Sequence, residues 1–400
     1  MEAAIETILS INGGSSSLKF ALYERDSLQL RFDGKIERIG TDKATLAYSI
    51  NGDEEKKMAI PEQDLATAIQ FLLPWLEKQA VASSLIAIGH RIVHGMKHAN
   101  PEPISDELLE ELTANIAFDP EHLPGEIGLI KQFGDAYPGV LQIACFDTAF
   151  HTSMPQVAKR LAIPRHYQAK GIQRYGFHGL SYAYLLEELE RIAGTKAARG
   201  KIIMAHLGSG ASLAAVKDGK SRDTSMGFTP ASGLPMSTRS GDLDPGVASY
   251  LMQAEKFTPQ AFNEFINHQS GLFGLSETSG DMQELLKAEA TDVSAAEAVD
   301  FFCYQTKKWI GAYAAVLGGL DTLLFSGGIG EHADKVRSKI CDNLKFLGIE
   351  LDEIKNRNNE SIISSDESKV TVYVIKTNEE LMIAREVLKL LDHMELNSKT

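Results

Sequence analysis

Cysteine is scarce in this chain: three in 400 residues, Cys145, Cys303 and Cys341. They are far apart, form no C-x-x-C and are odd in number, which does not suit a disulfide framework. A reducing cytosol fits best. Cations are also in short supply, 40 Lys and Arg against 54 Asp and Glu, for a formal net charge of -14. That balance argues against a nucleic-acid surface, which needs clustered Lys and Arg. Long apolar runs are missing too. The nearest, Ile310 to Phe325, is split by Gly318, Gly319 and Asp321 and falls short of the ~20 apolar residues a membrane helix requires. The first residues, MEAAIETILSINGG, lack the basic n-region of a signal peptide, so the expectation is a soluble, cytoplasmic protein. Three catalytic signatures are absent as well: the G-x-x-x-x-G-K-[ST] P-loop, the H-E-x-x-H zinc helix and the G-x-S-x-G elbow.

What is present begins with a repeated pattern. Residues 7–24 read TILSINGGSSSLKFALYE and residues 201–220 read KIIMAHLGSGASLAAVKDGK. Setting Ser17-Leu18 on Ser212-Leu213 gives, twice, an apolar run, a turn of Gly and Ser, and a second apolar run. Such runs broken by Gly predict hairpins. Gly and Ser turns let backbone N–H groups approach an anion unhindered. One copy in each half of a 400-residue chain, long enough for two domains, suggests two related domains facing each other across a phosphate chain.

Between and after the hairpins, strands alternate with helices, which implies an α/β layer architecture. A helix is expected over Pro61–Gln79, kinked at Pro74. A short buried strand, Leu85–Gly89, delivers His90-Arg91-Ile92-Val93-His94-Gly95. Ser105 caps a helix through Ala117. A loop carries His122, Glu126–Phe133 is helical, and a strand Val140–Cys145 ends in Phe146-Asp147. Met154–Gly179 reads as mostly loop and carries His178, with a helix Ser181–Ala193 after it. Asp223–Pro245, rich in Gly, Pro, Ser and Thr and without period, carries Arg239 and reads as a functional loop. Helices follow at Ala248–Glu255, Pro259–Asn267, Asp281–Ala288 and Ser294–Leu317. The strand Asp321–Phe325 runs into Ser326-Gly327-Gly328-Ile329-Gly330-Glu331, an order that suits nucleotide contact. A last strand, Val370–Ile375, leads to a helix opened by a Thr377/Glu380 capping box, with Glu379 as an acid in its first turn.

The chemistry-bearing candidates are Asn12, Ser15, Ser17, Lys19, Arg91, His122, Asp147, His178, Arg239 and Glu379. Arg91 and Asp147 fall beyond strand ends, where such sheets bind ligands. The set suits gripping phosphate: Gly/Ser turns, Arg, His, and acids for a divalent cation. A hydroxyl acceptor would require a base such as Asp147. A carboxylate acceptor, with a pKa of about 4, is already ionised and requires cations instead. Arg91 and Arg239 meet that requirement, since Arg forks onto carboxylate and phosphate oxygens, while Asp147 leaves the hydroxyl alternative open.

The motifs INGGSSSLKF, GHRIVHG, FDTAFH, RYGFHG, DTSMGFTP, TRSGDLDP, SGGIGE and TNEELMIAR, spread in that order over residues 11–385, together resemble those of the acetate kinase family. The resemblance implies an α/β fold of two duplicated actin-like ATPase domains with ribonuclease H-like cores around a central cleft. It implies boundaries at 1–147, completed by the C-terminal helix 380–400, and 148–379. It implies reversible phosphoryl transfer between ATP and acetate, giving acetyl phosphate and ADP, with Mg²⁺ (or Mn²⁺ in its place), and a homodimer. Carried over by position, Asn12 and Glu379 hold the metal and Lys19 lies in the phosphate region. Arg91 and Arg239 bind acyl and phosphoryl oxygens. Asp147 is the active-site acid, ordering the metal and Arg. His178 donates to the phosphoryl group in flight and His122 supports it. Val93, Phe177 and Pro230 line the acetate methyl pocket. His206, Leu207, Gly208, Ser209, Gly210, Asp281, Met282, Gln283, Gly328, Ile329, Gly330, Glu331 and His332 contact the nucleotide.

The chain also departs from the family pattern. Ser209 and His332 stand where the family usually has Asn, and Gln283 where it has Arg, all on the nucleotide side. Leu180 and Tyr182 replace Thr and His of H-G-T-S-H. Glu121 replaces a Leu, and facing the acyl pocket it would repel a carboxylate. The alternatives are therefore a related kinase with pyrophosphate as donor or propionate as acceptor, and a silent nucleotide-binding module of the same superfamily.

Overall fold

A computed structural model of the chain describes residues 5–14, 17–41, 43–60, 64–79 and 84–398. The chain divides into two compact units, Met1–Ala149 with Asn378–Thr400, and Phe150–Thr377. Ser15 and Ser16 of the first turn, and Pro61 at the expected start of a helix, lie outside the described residues.

Among its described residues the first unit holds eight strands, β1 (Thr7–Gly13), β2 (Ser17–Glu24), β3 (Leu30–Glu37), β4 (Thr45–Ile50), β5 (Lys56–Ala59), β6 (Leu85–Ile92), β7 (Glu102–Pro103) and β8 (Leu141–Phe146). Their order is β5-β4-β3-β2-β1-β6-β8-β7. Every residue of β1 is buried, as a central strand covered on both faces must be. The helix Leu65–Lys78 covers one face. Asp64 caps it by accepting from the Thr67 N–H at 2.8 Å, and it stays helical across Pro74. Its Trp75 packs edge-on to Phe20 and Phe32, 5.6 Å from each ring. The other face receives the C-terminal helix Glu379–Ser398, which packs on β1 and β6 and buries Met382, Ile383, Ala384 and Val387.

The second unit holds β9 (Lys201–Leu207), β10 (Ala211–Lys217), β11 (Lys220–Thr224), β12 (Thr322–Ser326) and β13 (Thr371–Val374), ordered β11-β10-β9-β12-β13. It repeats the arrangement β3-β2-β1-β6-β8. In each unit three strands meander antiparallel, and two more join parallel to the first. The duplication read from the hairpins is thus carried by strand order and direction. Both hairpins form, with Gly13 opposite Leu18 and Leu207 opposite Ala211 as the closing pairs.

Several bounds shift for identifiable reasons. The strand expected to end at Gly89 continues through His90, Arg91 and Ile92, because β8 gives them partners Ala144, Cys145 and Phe146. Ser105 does cap its helix, accepting from Leu108 at 3.3 Å, but the helix stops at Ala114 and a 3-10 turn takes Ile116–Phe118. The expected Thr377/Glu380 capping box does not form. Asn378 accepts the Leu381 N–H at 2.9 Å, while Thr377 Oγ1 lies 3.1 Å from Ser181 Oγ. The irregular stretch is shorter than read, since Asp223 and Thr224 close β11. Met154–Gly179 holds two four-residue helical turns, Gln156–Lys159 and Arg165–Gln168. Among the described residues no helix is long and apolar enough to cross a membrane.

Candidate active site

In the first unit the predicted residues gather at the carboxyl ends of β1, β6 and β8. Arg91 Nη2 donates to Asp147 Oδ2 at 2.6 Å, and Asp147 is wholly buried just past β8. Its own N–H donates to Ile92 O at 2.9 Å, which fixes the strand exit. Burial alone would lower the Arg91 pKa, but the charges of Asp147 and Glu379 and the Asp147 hydrogen bond outweigh it and hold the guanidinium above its ordinary value. Its Nε is buried without a partner, and Nη1 reaches Asn12 Oδ1 at 3.4 Å and Gly13 O at 3.5 Å. The amide of buried Asn12 donates to Glu379 Oε2 at 2.8 Å and Glu380 Oε1 at 2.9 Å. The β1 end and the first turn of the C-terminal helix are thereby pinned together. Lys19 stands opposite Asn12 in the β1–β2 ladder with its side chain exposed.

His122 precedes the helix Leu123–Ala136, and its Nδ1 lies 2.8 Å from Asp119 Oδ1. With Gly13, Gly14, Glu121, Gly125 and Glu126 it borders a cavity of about 200 Å³. Val93 is buried, and its N–H donates to the Glu126 carboxyl at 3.0 and 3.2 Å. Cys145 is buried, and burial with nearby Glu386 pushes its thiol well above its usual value, which keeps it protonated and unreactive.

In the second unit a separate group forms around the Gly208–Gly210 turn. His178 adopts left-handed φ of 60° ahead of the helix Gly179–Ala193. Its Nδ1 lies 2.9 Å from Ser212 Oγ, which is also 2.5 Å from the Tyr182 hydroxyl. That clamp sets the ring 4.4 Å from His206. A Cβ on Gly210 would sit 3.2 Å from His178 Nε2 and 3.9 Å from Arg239 Nη1, so the turn, His178 and Arg239 share one spot that glycine leaves open. Ser209 O accepts from Ser237 N at 3.1 Å, and Ser237 O lies beside Gly280, linking the turn to the helix Met282–Ala288. Asp281 caps that helix, accepting from Gln283 and Glu284 N–H at 2.7 and 3.1 Å, with Met282 buried and Gln283 exposed.

The turn also approaches Gly328 N, 3.8 Å from where a Gly208 Cβ would be. Gly328, Ile329, Gly330, Glu331 and His332 lie in the short helix Gly327–His332. Glu331 turns inward. Its Oε1 accepts from Gly327 N at 3.0 Å and Thr377 N at 3.3 Å, while the His332 side chain is 77% exposed. Phe177 is buried with its carbonyl 3.0 Å from His151 Nε2, and Pro230 is buried in the long loop. Burial pushes the pKa of His151 down to about 4.

Sequence reasoning missed Glu126, Asp119, Glu380, Ser212 and Tyr182, and two arginine anchors, one half-buried and one wholly buried. Arg174 Nη1 donates to the carbonyls of Thr224, Ser225 and Met226 at 2.9–3.1 Å. Arg337 Nη1 donates to Gly330 O at 2.9 Å and fixes the Gly-rich helix from behind. The i, i+4 spacing of His90 and His94 is not a zinc pair. His90 lies on β6, not on a helix, and its Nε2 sits 2.8 Å from Gln142 Oε1. Among the described residues no group of three or more His, Cys, Asp or Glu is placed to hold a metal.

Comparison with known proteins accords with the motif resemblance. The acetokinase family profile matches residues 7–385. An acetate kinase of Methylocella silvestris is 40% identical over 401 residues, 97% of this chain and 98% of that one. The crystal structure of a propionate kinase from Francisella tularensis superposes with a TM-score of 0.89 at 37% identity, over 96% of this chain and 99% of that one. That of Porphyromonas gingivalis acetate kinase gives 0.85 at 36%, over 96% and 100%. With the family profile spanning nearly the whole sequence and the two units each carrying the same five-strand core, this chain belongs to the acetokinase family and has its duplicated actin-like ATPase fold.

Proposed function

We propose that this chain catalyses reversible, Mg²⁺-dependent transfer of the ATP γ-phosphoryl group to acetate, giving acetyl phosphate and ADP by direct in-line transfer. The observation that carries the reading is Arg91. It is a cation fixed by Asp147 at 2.6 Å and held charged, in a chain whose relatives include an acetate kinase. Acetate arrives ionised, so the site has no proton to remove. What it must supply is positive charge that needs no reorganisation as two anions meet. In the first unit Arg91 offers its guanidinium to the acyl or phosphoryl oxygens, with Asp147 as its orienter rather than a base. In the second unit Ser212 fixes the His178 ring with Nε2 toward the Gly210 turn. From there His178 and Arg239 donate to phosphoryl oxygens, and His206 to Gly210, Asp281 to Gln283 and Gly328 to His332 border the nucleotide.

Asn12 Oδ1 and the Glu379 carboxylate would hold Mg²⁺. The fit rests on chemistry: Asn12 Oδ1 and the Glu379 carboxylate offer oxygen, as a hard cation prefers. A Mg²⁺ ion also takes only one or two protein carboxylates alongside phosphates and water. When bound it would neutralise phosphate charge. A homodimer in the cytoplasm completes the reading. The helix Pro245–Ala254 buries none of its residues and leaves Val247, Tyr250 and Met252 exposed, a face suited to a second copy.

Propionate as acceptor is the second reading, favoured by the similarity to the Francisella tularensis propionate kinase. A hydroxamate assay for acyl phosphate separates them. Acetate with ATP and Mg²⁺ is expected to give the highest kcat/KM, propionate a lower one, and pyrophosphate in place of ATP no product. A preference for propionate would move the assignment to the second reading. No acyl phosphate from either acid would remove both.

A further inference from the structure

Glu126 lies in the first turn of the helix Leu123–Ala136, where an acid ordinarily does no more than complement the dipole. It is 4% exposed, both carboxyl oxygens face the Val93 N–H at 3.0 and 3.2 Å, and it forms a wall of the 200 Å³ cavity beneath the Gly13–Gly14 turn. We propose that Glu126 is a positioning residue for the acyl acceptor, clamping the Val93 amide just past β6 from the wall of that cavity. The inference rests on the carboxylate-kinase reading, under which the family resemblance puts Val93 at the acyl end.

The surroundings decide the carboxyl's charge. An ionised carboxylate sealed from water with one N–H partner is costly unless a cation pairs with it. Arg91, the cation that acts on it, is committed to Asp147. Asp119 adds a like charge, its Oδ1 on His122 Nδ1 and its Oδ2 buried without a partner. Burial and Asp119, with a smaller contribution from Asp147, raise the Glu126 pKa well above the usual carboxylate value, against the opposing pull of Arg91 and the Val93 N–H. Those groups, with His122 and Glu121 from the preceding loop, are the titratable side chains facing it. The Gly13–Gly14 turn and Leu65 bring no charge to the cavity. Neutral Glu126 leaves the Arg91 charge for an incoming anion. Ionised Glu126 would compete for Arg91 and repel an acetate carboxylate.

The test is steady-state kinetics with acetate from pH 6 to 9 on wild type, Glu126→Gln and Glu126→Ala, with urea midpoints to confirm folding. Gln keeps an acceptor for the Val93 N–H and cannot ionise. Its KM for acetate at pH 7 is expected within about threefold of wild type. Ala leaves the Val93 N–H unsatisfied, and its KM is expected to rise about tenfold at every pH with kcat largely kept. Two results would overturn the inference: Ala matching wild type, or Gln as impaired as Ala at pH 7. Failure of wild type to form acetyl phosphate at any pH would instead strike the reading on which it rests.

Discussion

Arg91 and Asp147 were legible in the sequence because an Arg and an Asp each follow an apolar run that reads as a strand, and strand ends are where such sheets place ligands. What the sequence could not show is which atoms are already satisfied. Asp281 and Glu331 look like nucleotide ligands by position, yet their carboxylates cap backbone N–H groups. Ser212 reads as one more turn residue, yet its hydroxyl is wholly buried and bridges His178 and Tyr182. Ser212→Ala should free the His178 ring. We expect kcat to fall about tenfold, which corresponds to about 1.4 kcal/mol, with the KM for acetate held. Stability should drop by about 1–2 kcal/mol from the two partners left short. An unchanged kcat in a folded Ser212→Ala protein would show that His178 needs no such clamp.

Among elements, the paired hairpins, the buried strands and the long helix Val293–Leu317 follow directly from apolar runs and periodicity. The failures came where a tertiary partner chose between local options. Thr377 and Glu380 satisfy the capping-box pattern, but Ser181 engages Thr377 and Asn12 engages Glu380, leaving Asn378 to cap. The β12 exit shows the same dependence. Gly327 sits at φ 77°, where a Cβ would stand 2.6 Å from Leu207 O of the neighbouring strand β9. Only glycine meets both demands. Gly327→Ala is expected to cost about 1–3 kcal/mol of stability and to push the Gly328 segment from the Gly208 turn. Denaturant midpoints and nucleotide titration would measure this, with the KM for ATP rising and that for acetate little changed. A variant as stable as wild type would remove the argument from this contact.

For the whole molecule, duplication was readable from two Gly/Ser turns because the same five-strand arrangement needs the same opening hairpin in each unit. The proposed chemistry divides accordingly. The first unit gathers Asn12, Arg91, Asp147 and Glu379, and the second gathers His178, Gly208–Gly210 and Arg239. The departures at Ser209, Gln283 and His332 lie toward solvent on the second unit, and on the proposed reading they would bear on nucleotide affinity more than on the reacting groups. The account stands on fixed cations carrying a carboxylate to a phosphoryl group. It is tested most directly by the acetyl phosphate turnover of Arg91→Ala and Arg239→Ala beside wild type, with circular dichroism confirming the fold. We predict a loss of at least about 10³-fold in each, or about 4 kcal/mol of transition-state stabilisation. Turnover within about tenfold of wild type in both would contradict it.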